Sequence, residues 1–364
     1  MSRVRGLAVV LGRIDVVRAL GRAGVRSLVV GDRDDPIRHS RFVTGVIAED
    51  ELWARRAEGL PLLYDSDAAL AFVASNRDRL AERHRFVLPR RELLDDLLDK
   101  RRFQALAERL GLPVPRSATV GGADAAAAHD LRFPVVIKAS PQRDGRWEAA
   151  GLPGKVLRAD DPAGLRDALA RLEAAGIEAV AQELVPGGED RVESYHVYVD
   201  DDGEVAAEFT GRKIRTTPRE FGATTALETT DAPDVVAAGR DVVERLGFTG
   251  VAKLDLKRDP DGRLHLLELN PRFTLWARAG AVAGVNLPAI VYADLSGAAR
   301  PPAARARPGV RWIWARADAA AAREQGISFP AWLAWALRVE TNASFALSDP
   351  APYVVRRLRR APRR

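Results

Sequence analysis

The stretch GVAKLDLKRDPDGRLHLLELNPRF, residues 250–273, reads as two alternating strands around an Asp259-Pro260-Asp261-Gly262 turn. Alternation along a strand puts Lys253, Asp255 and Lys257 on one face and Leu254 and Leu256 on the other. By the same count Leu266, Glu268 and Asn270 share a face of the return strand. With Asp259 and Gly262 closing the turn, Lys253 is expected opposite Glu268 and Val251 opposite Asn270. Asp255 then lies opposite Leu266 and diagonal to Glu268 at roughly 7–8 Å, within reach of side chains, and a two-residue slip keeps all these groups on one face. Two carboxylates and an amide carbonyl converging there repel one another unless a cation sits between them, and oxygen donors of this kind suit hard ions such as Mg²⁺. The alternative is a solvated face on which an Asp, a Glu and a Lys pair as salt bridges.

With 364 residues the chain can bury a large core and is expected to hold two or three domains. Its hydrophobic fraction of 47% and charged fraction of 29% are ordinary for a globular protein. The absence of cysteine excludes disulfides, thiolate nucleophiles and cysteine-ligated zinc, and suits a reducing compartment. The apolar run Leu7–Leu11 is too short for a signal peptide, and no run approaches the ~20 residues of a membrane span, so a soluble, cytoplasmic protein is expected. Much of the net charge of +6 comes from the arginines near residues 355–364, so an anionic partner is a reading of the tail rather than the body. Lysine is scarce: Lys and Arg total 56, yet the lysines are Lys100, Lys138, Lys155, Lys213, Lys253 and Lys257 alone. A lysine kept in an arginine-rich chain marks a place for a compact point charge, unless the six are survivors of a compositional bias.

Residues 4–11, the helical pattern of Val16, Val17 and Leu20, and VRSLVVGD read as β-α-β, the opening of a parallel α/β sheet. Gly6, Gly12, Gly21 and Gly24 do not form a G-x-G-x-x-G fingerprint. A second helix pattern ends at Gly111, before Pro113 and Pro115. FPVVIKAS is a strand ending near Lys138, IEAVAQELV a strand running into PGGED, and VESYHVYVDDDGEVAAEFTGRKIRTT a hairpin around Asp201 to Gly203. The expected divisions are an α/β domain at 1–95, a small lobe at 96–185, a larger lobe at 186–297, and a C-terminal extension with a basic tail at 298–364.

Together, KLDL, LHLLELNPRF, FPVVIKAS and QELVPGGED resemble the ATP-grasp superfamily over roughly residues 95–297, and within it the carboxylate-amine ligases of the carbamoyl-phosphate-synthetase-like group. The resemblance implies two α+β lobes clasping ATP, preceded by a small parallel α/β domain. It implies Asp255, Glu268 and Asn270 as ligands of one or two Mg²⁺, with Mn²⁺ as an alternative ion. Lys253 and Arg272 become the groups that meet charge developing on the transferred phosphate. Lys100 and Lys138 match the lysines that hold the inner phosphates, and Lys155 closes a loop over them, although DGRWEAAGLPGK is longer and less glycine-rich than the usual version. Gln182, Glu183, Leu184 and Val185 match the adenine hinge; Glu189, with Asp190 as fallback, matches the ribose contact. Arg212, Lys213 and Arg215 resemble a basic strand that meets phosphate or substrate carboxylate, as Arg272 does from the far side.

The activity so implied is ATP-dependent joining of a small-molecule carboxylate to an amine through an acyl phosphate, on an amino acid or small peptide, with no protein nucleophile. His196 reads as a packed strand residue and His265 as alternating away from Glu268; Lys257 has no role. An ATP-grasp kinase acting on a hydroxyl is one rival. A non-catalytic binder of nucleic acid or anionic membrane through the basic tail is another. No nucleic-acid partner is expected for the ligase, which is read as a homodimer or as touching a membrane peripherally through its Trp-rich C-terminal region.

Overall fold

The computed structural model describes residues 6–54, 59–120, 130–140, 145–152, 154, 156–302 and 304–360. Lys155 and the last four residues of the basic tail lie outside the described residues. The chain opens with the apolar strand β1 (Gly6–Leu11) and α1 (Ile14–Arg22), whose Val16, Val17 and Leu20 are buried. β2 (Val25–Val30) and β3 (Val43–Ile47) extend the sheet on one side of β1. After the short helix α2 (Glu51–Ala54), β4 (Leu60–Tyr64) pairs with β1 on its other side. The Ser66 hydroxyl caps α3 (Asp67–Ser75) by accepting from the Ala69 N–H, and α4 (Arg77–Ala81) leads to the edge strand β5 (His84–Arg85). The five strands are parallel in the order β3-β2-β1-β4-β5.

α5 (Arg91–Leu98) and α6 (Lys100–Arg109) then leave this domain. Asp99 caps α6, accepting from the Arg101 and Arg102 N–H groups, and so fixes Lys100 at the first turn. Leu93, Leu97, Phe103 and Leu106 pack with Val242 and Leu246 of the large lobe. The small lobe is an antiparallel sheet of β6 (Ser117–Val120), β7 (Val135–Ser140), β8 (Val156–Ala159) and β9 (Glu178–Glu183), ordered β6-β9-β7-β8. Trp147 of α7 (Arg146–Ala149) and Leu165 and Leu172 of α8 (Pro162–Ala174) fill its core.

Seven strands make the large lobe: β10 (Val192–Val199), β11 (Val205–Thr217), β12 (Ala223–Thr230), β13 (Gly250–Arg258), β14 (Leu264–Asn270), β15 (Arg311–Ile313) and β16 (Thr341–Asn342), ordered β14-β13-β10-β11-β12-β15-β16. The helix α9 (Pro233–Leu246) buries Val235, Val242 and Leu246 against Tyr195, Val197, Leu254 and Leu256 on one face of the sheet. On the other side α10 (Ala277–Ala283) and α11 (Leu287–Ser296) share one core with both large domains: Ala8, Val10 and Leu63 come from the first sheet, Phe209 and Leu227 from the large one.

The C-terminal segment is more than an extension. β15 and β16 prolong the large sheet past β12. Residues 315–336, as α12 (Ala315–Glu324) and α13 (Phe329–Ala336), close over β11 and β12. Finally α14 (Ala351–Arg360) returns to residues 36–39, where Asp349 forms a buried ion pair with Arg18 at 3.0 Å and accepts from Ser40. Among the described residues no single helix is long and apolar enough to cross a membrane.

Candidate active site

The β13–β14 hairpin turns through one residue more than the turn sequence implies. Asp259 N–H donates to the Arg263 carbonyl at 2.9 Å, so Asp259 and Arg263 close a three-residue loop in which Gly262 takes φ +86°. His265 Nε2 lies 2.9 Å from Asp259 Oδ2 and latches the loop. Leu256 pairs with Leu266, but Asp255 pairs with Glu268 and Lys253 with Asn270, leaving Leu267 as an extra residue in β14. This bulge corrects the expected register. Leu266 and Leu269 both turn into the core, whereas Glu268 and Asn270 face Asp255 and Lys253 directly. Leu266 therefore does not share a face with Glu268, and His265 is not turned away from it. The bulge also offers the Leu267 carbonyl to Lys138 Nζ at 3.4 Å, a contact between the two lobes.

Around this hairpin the lysines converge. Lys253 Nζ donates to Asp255 Oδ2 at 2.6 Å, and the Ser194 hydroxyl on β10 donates to Oδ1 at 2.7 Å. Lys213 on β11 stands 3.9 Å from both Asp255 and Glu189. From α6, Lys100 Nζ reaches Glu268 Oε1 at 2.8 Å. From the small lobe, Lys138 Nζ reaches Gln182 Oε1 at 2.8 Å, and Gln182 in turn donates to Gln104 at 3.3 Å. Arg272 bonds Asn270 Oδ1 at 3.1 Å and Asp67 of the first domain at 2.5 Å.

The charges are strongly coupled. Burial opposes ionisation of Glu268, but the Lys100 ammonium, together with Lys253 and Lys138, outweighs it and holds the carboxyl well below its usual range. Burial likewise opposes the Asp255 carboxylate, and the Lys253 and Lys213 charges hold it low. Burial lowers Lys253 despite Asp255, and lowers Lys138 to about 8 with the help of Lys100. Lys213 is raised, since Asp255, Glu189 and Glu268 more than offset its burial. Two ionised carboxylates directly across a strand pair, with an amide oxygen beside them and ammonium groups as their partners, form an oxygen donor set that fits a hard divalent cation.

The same fold, with its preceding α/β domain, occurs in an N5-carboxyaminoimidazole ribonucleotide synthetase solved with ADP: TM-score 0.65, 15% identity, 85% of this chain and 81% of that one. A family model described as "ATP-grasp in the biosynthetic pathway with Ter operon" matches residues 203–316. Over those residues the chain resembles the ATP-grasp family. It is 24% identical over 263 residues to a D-aspartate ligase of Enterococcus faecium (strain Aus0004), covering 67% of this chain and 60% of that protein, so it spans less than two thirds of the relative's length. It also shares its fold with an L-amino acid ligase from Bacillus licheniformis, at TM-score 0.60 and 17% identity, covering 81% and 75% of the two chains.

Two expected substrate contacts turn away from the cluster. Alternation on β11 sends Arg212 to the opposite side, where it pairs with Glu228 at 2.6 Å. A bulge at Ile214 buries Arg215 in a bidentate pair with Asp318, at 2.8 and 2.7 Å, under the Trp335 ring. Along the expected hinge, the Glu183 carboxylate is occupied by Arg132 and its N–H by the Arg116 carbonyl, while the Leu184 N–H donates to the Pro134 carbonyl. Any base contact from Glu183 would thus come from its carbonyl, next to buried Val185. His196 packs as expected, stacked on Phe209 at 4.4 Å and kept neutral by burial and the Lys253 charge.

Three residues gain a place that the sequence reading did not give them. Lys257 is buried and lies among the charges of Glu189, Glu220 and Asp190; its alternation with Lys253 and Asp255 was the available signal. Ser194 orients Asp255 from the neighbouring strand. Asp67, more than 200 positions away in sequence, ties Arg272 to the first domain, and no local pattern points to it.

Proposed function

We propose that this chain is an ATP-dependent carboxylate-amine ligase that forms an amide or peptide bond through an acyl phosphate and releases ADP and phosphate. The observation that carries the reading is the Asp255–Glu268 cross-strand pair, ringed by Lys253, Lys213, Lys100 and Lys138 from both lobes. That is a site built for polyphosphate charge rather than for a protein nucleophile. The D-aspartate ligase and L-amino acid ligase among the similar proteins support the same reaction class.

In the reaction, a carboxylate oxygen attacks the γ-phosphorus of ATP, ADP leaves, and an acyl phosphate forms. The amine nitrogen then attacks the acyl carbon; the C–N bond forms, phosphate departs with the former carboxylate oxygen, and the nitrogen loses a proton to solvent. Lys100 and Lys138 hold the inner phosphates, Lys253 and Lys213 meet the charge on the transferred group, and Arg272 faces the carboxylate. Asp255, Glu268 and Asn270 would hold Mg²⁺, which when bound neutralises phosphate oxygens and polarises the phosphorus. The residues Gln182 to Val185 border the adenine, and Glu189 the ribose.

The test is an ADP-release screen with ATP, Mg²⁺ and pooled amino acids as acid and amine. ADP appearing only when both are present supports the ligase. AMP and pyrophosphate rule out the acyl phosphate, and ADP formed with an alcohol alone favours a kinase.

A further inference from the structure

The charge of the chain is concentrated at one helix. Six of its 56 lysines and arginines, Arg356, Arg357, Arg359, Arg360, Arg363 and Arg364, follow Asp349, and no acidic residue does. The 50 basic side chains that remain are balanced by 50 acidic ones, so the whole net charge of +6 falls within residues 356–364. The reaction proposed above makes no use of these arginines.

α14 is held to the body by one side. Pro352 is buried, Tyr353 meets Phe345 edge-on with ring centres 5.5 Å apart, and Arg359, seven residues on and so on the face of Pro352, donates to the Asp34 carbonyl. Just before the helix, Asp349 is fixed by Arg18, Ser40 and the Arg41 N–H. The opposite side presents apolar residues. Val354 and Leu358, four apart on one face, are 48% and 70% exposed, and Leu347, in the turn that leads into the helix, is 89% exposed. A surface helix ordinarily buries its apolar stripe in the core; this one is attached with the apolar pair facing out. Arg357 borders the pair, its Nε donating to the Tyr353 hydroxyl at 3.0 Å, and Arg356 beside it is exposed. Arg41 reaches the carbonyl of Ser348, the neighbour of Leu347.

The arginines alone would suit any polyanion, whether nucleic acid, acidic protein or lipid surface. The apolar residues decide between them. A phosphate backbone offers nothing for Leu347, Val354 and Leu358 to enter. A bilayer takes apolar side chains into its acyl boundary while arginine heads stay among the lipid phosphates, their stems lying along the apolar layer. α13 is apolar and exposed too, at Phe329 and Leu333, but it holds no cation to draw it to a charged surface. We propose that α14 docks the protein on the surface of an anionic lipid bilayer, with Leu347, Val354 and Leu358 entering the interface and Arg356 and Arg357 meeting the lipid phosphates. This moves the peripheral contact expected of the Trp-rich region to the helix that follows it, and it stands whatever reaction the cleft performs.

The experiment is cosedimentation of the full chain with vesicles of phosphatidylcholine, alone or with about a third phosphatidylglycerol. Binding to the anionic vesicles is expected at about 0.1 M salt and should fall about tenfold or more at about 0.5 M, with little binding to phosphatidylcholine at either. Leu358→Glu should weaken the anionic binding about tenfold or more, as should Arg356→Glu combined with Arg357→Glu, whereas Phe329→Glu on α13 should leave it unchanged. Thermal melts followed by circular dichroism confirm that each variant folds. No binding to the anionic vesicles, or equal binding to both lipids, overturns the assignment. So does unchanged binding in Leu358→Glu, or a loss in Phe329→Glu instead. Single-stranded RNA that binds as tightly as the vesicles, and is indifferent to Leu358→Glu, overturns it in favour of a nucleic-acid partner.

Discussion

Glu268→Gln removes one charge and almost no volume. In the structure Glu268 is the common counter-ion of Lys100, Lys253 and Lys138, and the side chain is 37% exposed to the cleft. The Lys100–Glu268 pair is therefore solvent-screened, and its loss should cost about 1 kcal/mol of stability or less. Turnover should suffer far more, since the variant keeps the lysines but loses a carboxylate of the hard-cation donor set. A fall on the order of 10²–10³ in ADP formation is expected, comparable to loss of one electrostatic group at a charged transition state. A second consequence follows from Lys138. Its ammonium is already lowered to about 8 by burial and by Lys100, and the Glu268 charge is what raises it again. A phosphate-binding lysine must be protonated, so the affinity of the unaltered protein for ATP should fall as pH rises through about 8. In Glu268→Gln the fall should begin at lower pH. Calorimetric titration with ATP without metal ion, from pH 6 to 10, reads this limb directly. An unchanged or upward-shifted limb, or ADP formation within a few-fold of the unaltered protein, would refute the electrostatic account of the site.

Three further outcomes follow. Arg215→Ala leaves Asp318, which is fully buried, with Thr225 and Trp332 as its side-chain donors among the described residues, and should lower stability by about 3–5 kcal/mol in a denaturant titration while kcat, measured well below the melt, stays close to normal. Arg212→Ala breaks only an exposed pair with Glu228 and should change stability by less than about 1 kcal/mol and leave KM values unaltered; a marked rise in the KM of either substrate would restore its substrate role. Burial raises Asp15 from 3.8 to about 7 against the opposing charge of Arg278. A raised folded-state carboxyl gives stability that is whole below the unfolded value and lost as pH rises through the folded one, here between pH 3.8 and about 7, a difference of up to about 4 kcal/mol. Asp15→Asn should therefore raise the melting temperature at pH 8 and lose that gain below pH 4.

The strand alternation around Lys253, Asp255, Glu268 and Asn270 was legible in the sequence because period-two patterning survives on a half-buried sheet. The pairing was not, because Leu267 adds a residue that composition does not mark: a run of three leucines around one histidine gives no sign of which is bulged. The same bulge logic hid Arg215, which local alternation puts beside Lys213 but Ile214 diverts into the core. The lysine positions were informative since four of them meet in one cleft, and Lys257 was passed over although it shares their strand face. Asp67 follows a loop whose chemistry depends on which strand lies beside which, and only the sheet order reveals that. That β15 and β16 join the large sheet was not legible, because strands of three and two residues carry too little alternation to name a partner.

The central claim is that a carboxylate oxygen is transferred to phosphorus. It is tested most directly with an acid and amine pair that supports ADP release, the acid carrying ¹⁸O in its carboxylate, followed by mass analysis of the phosphate formed. The acyl-phosphate route requires one ¹⁸O in the released phosphate for each amide made; phosphate without label, or label appearing in AMP, would contradict it.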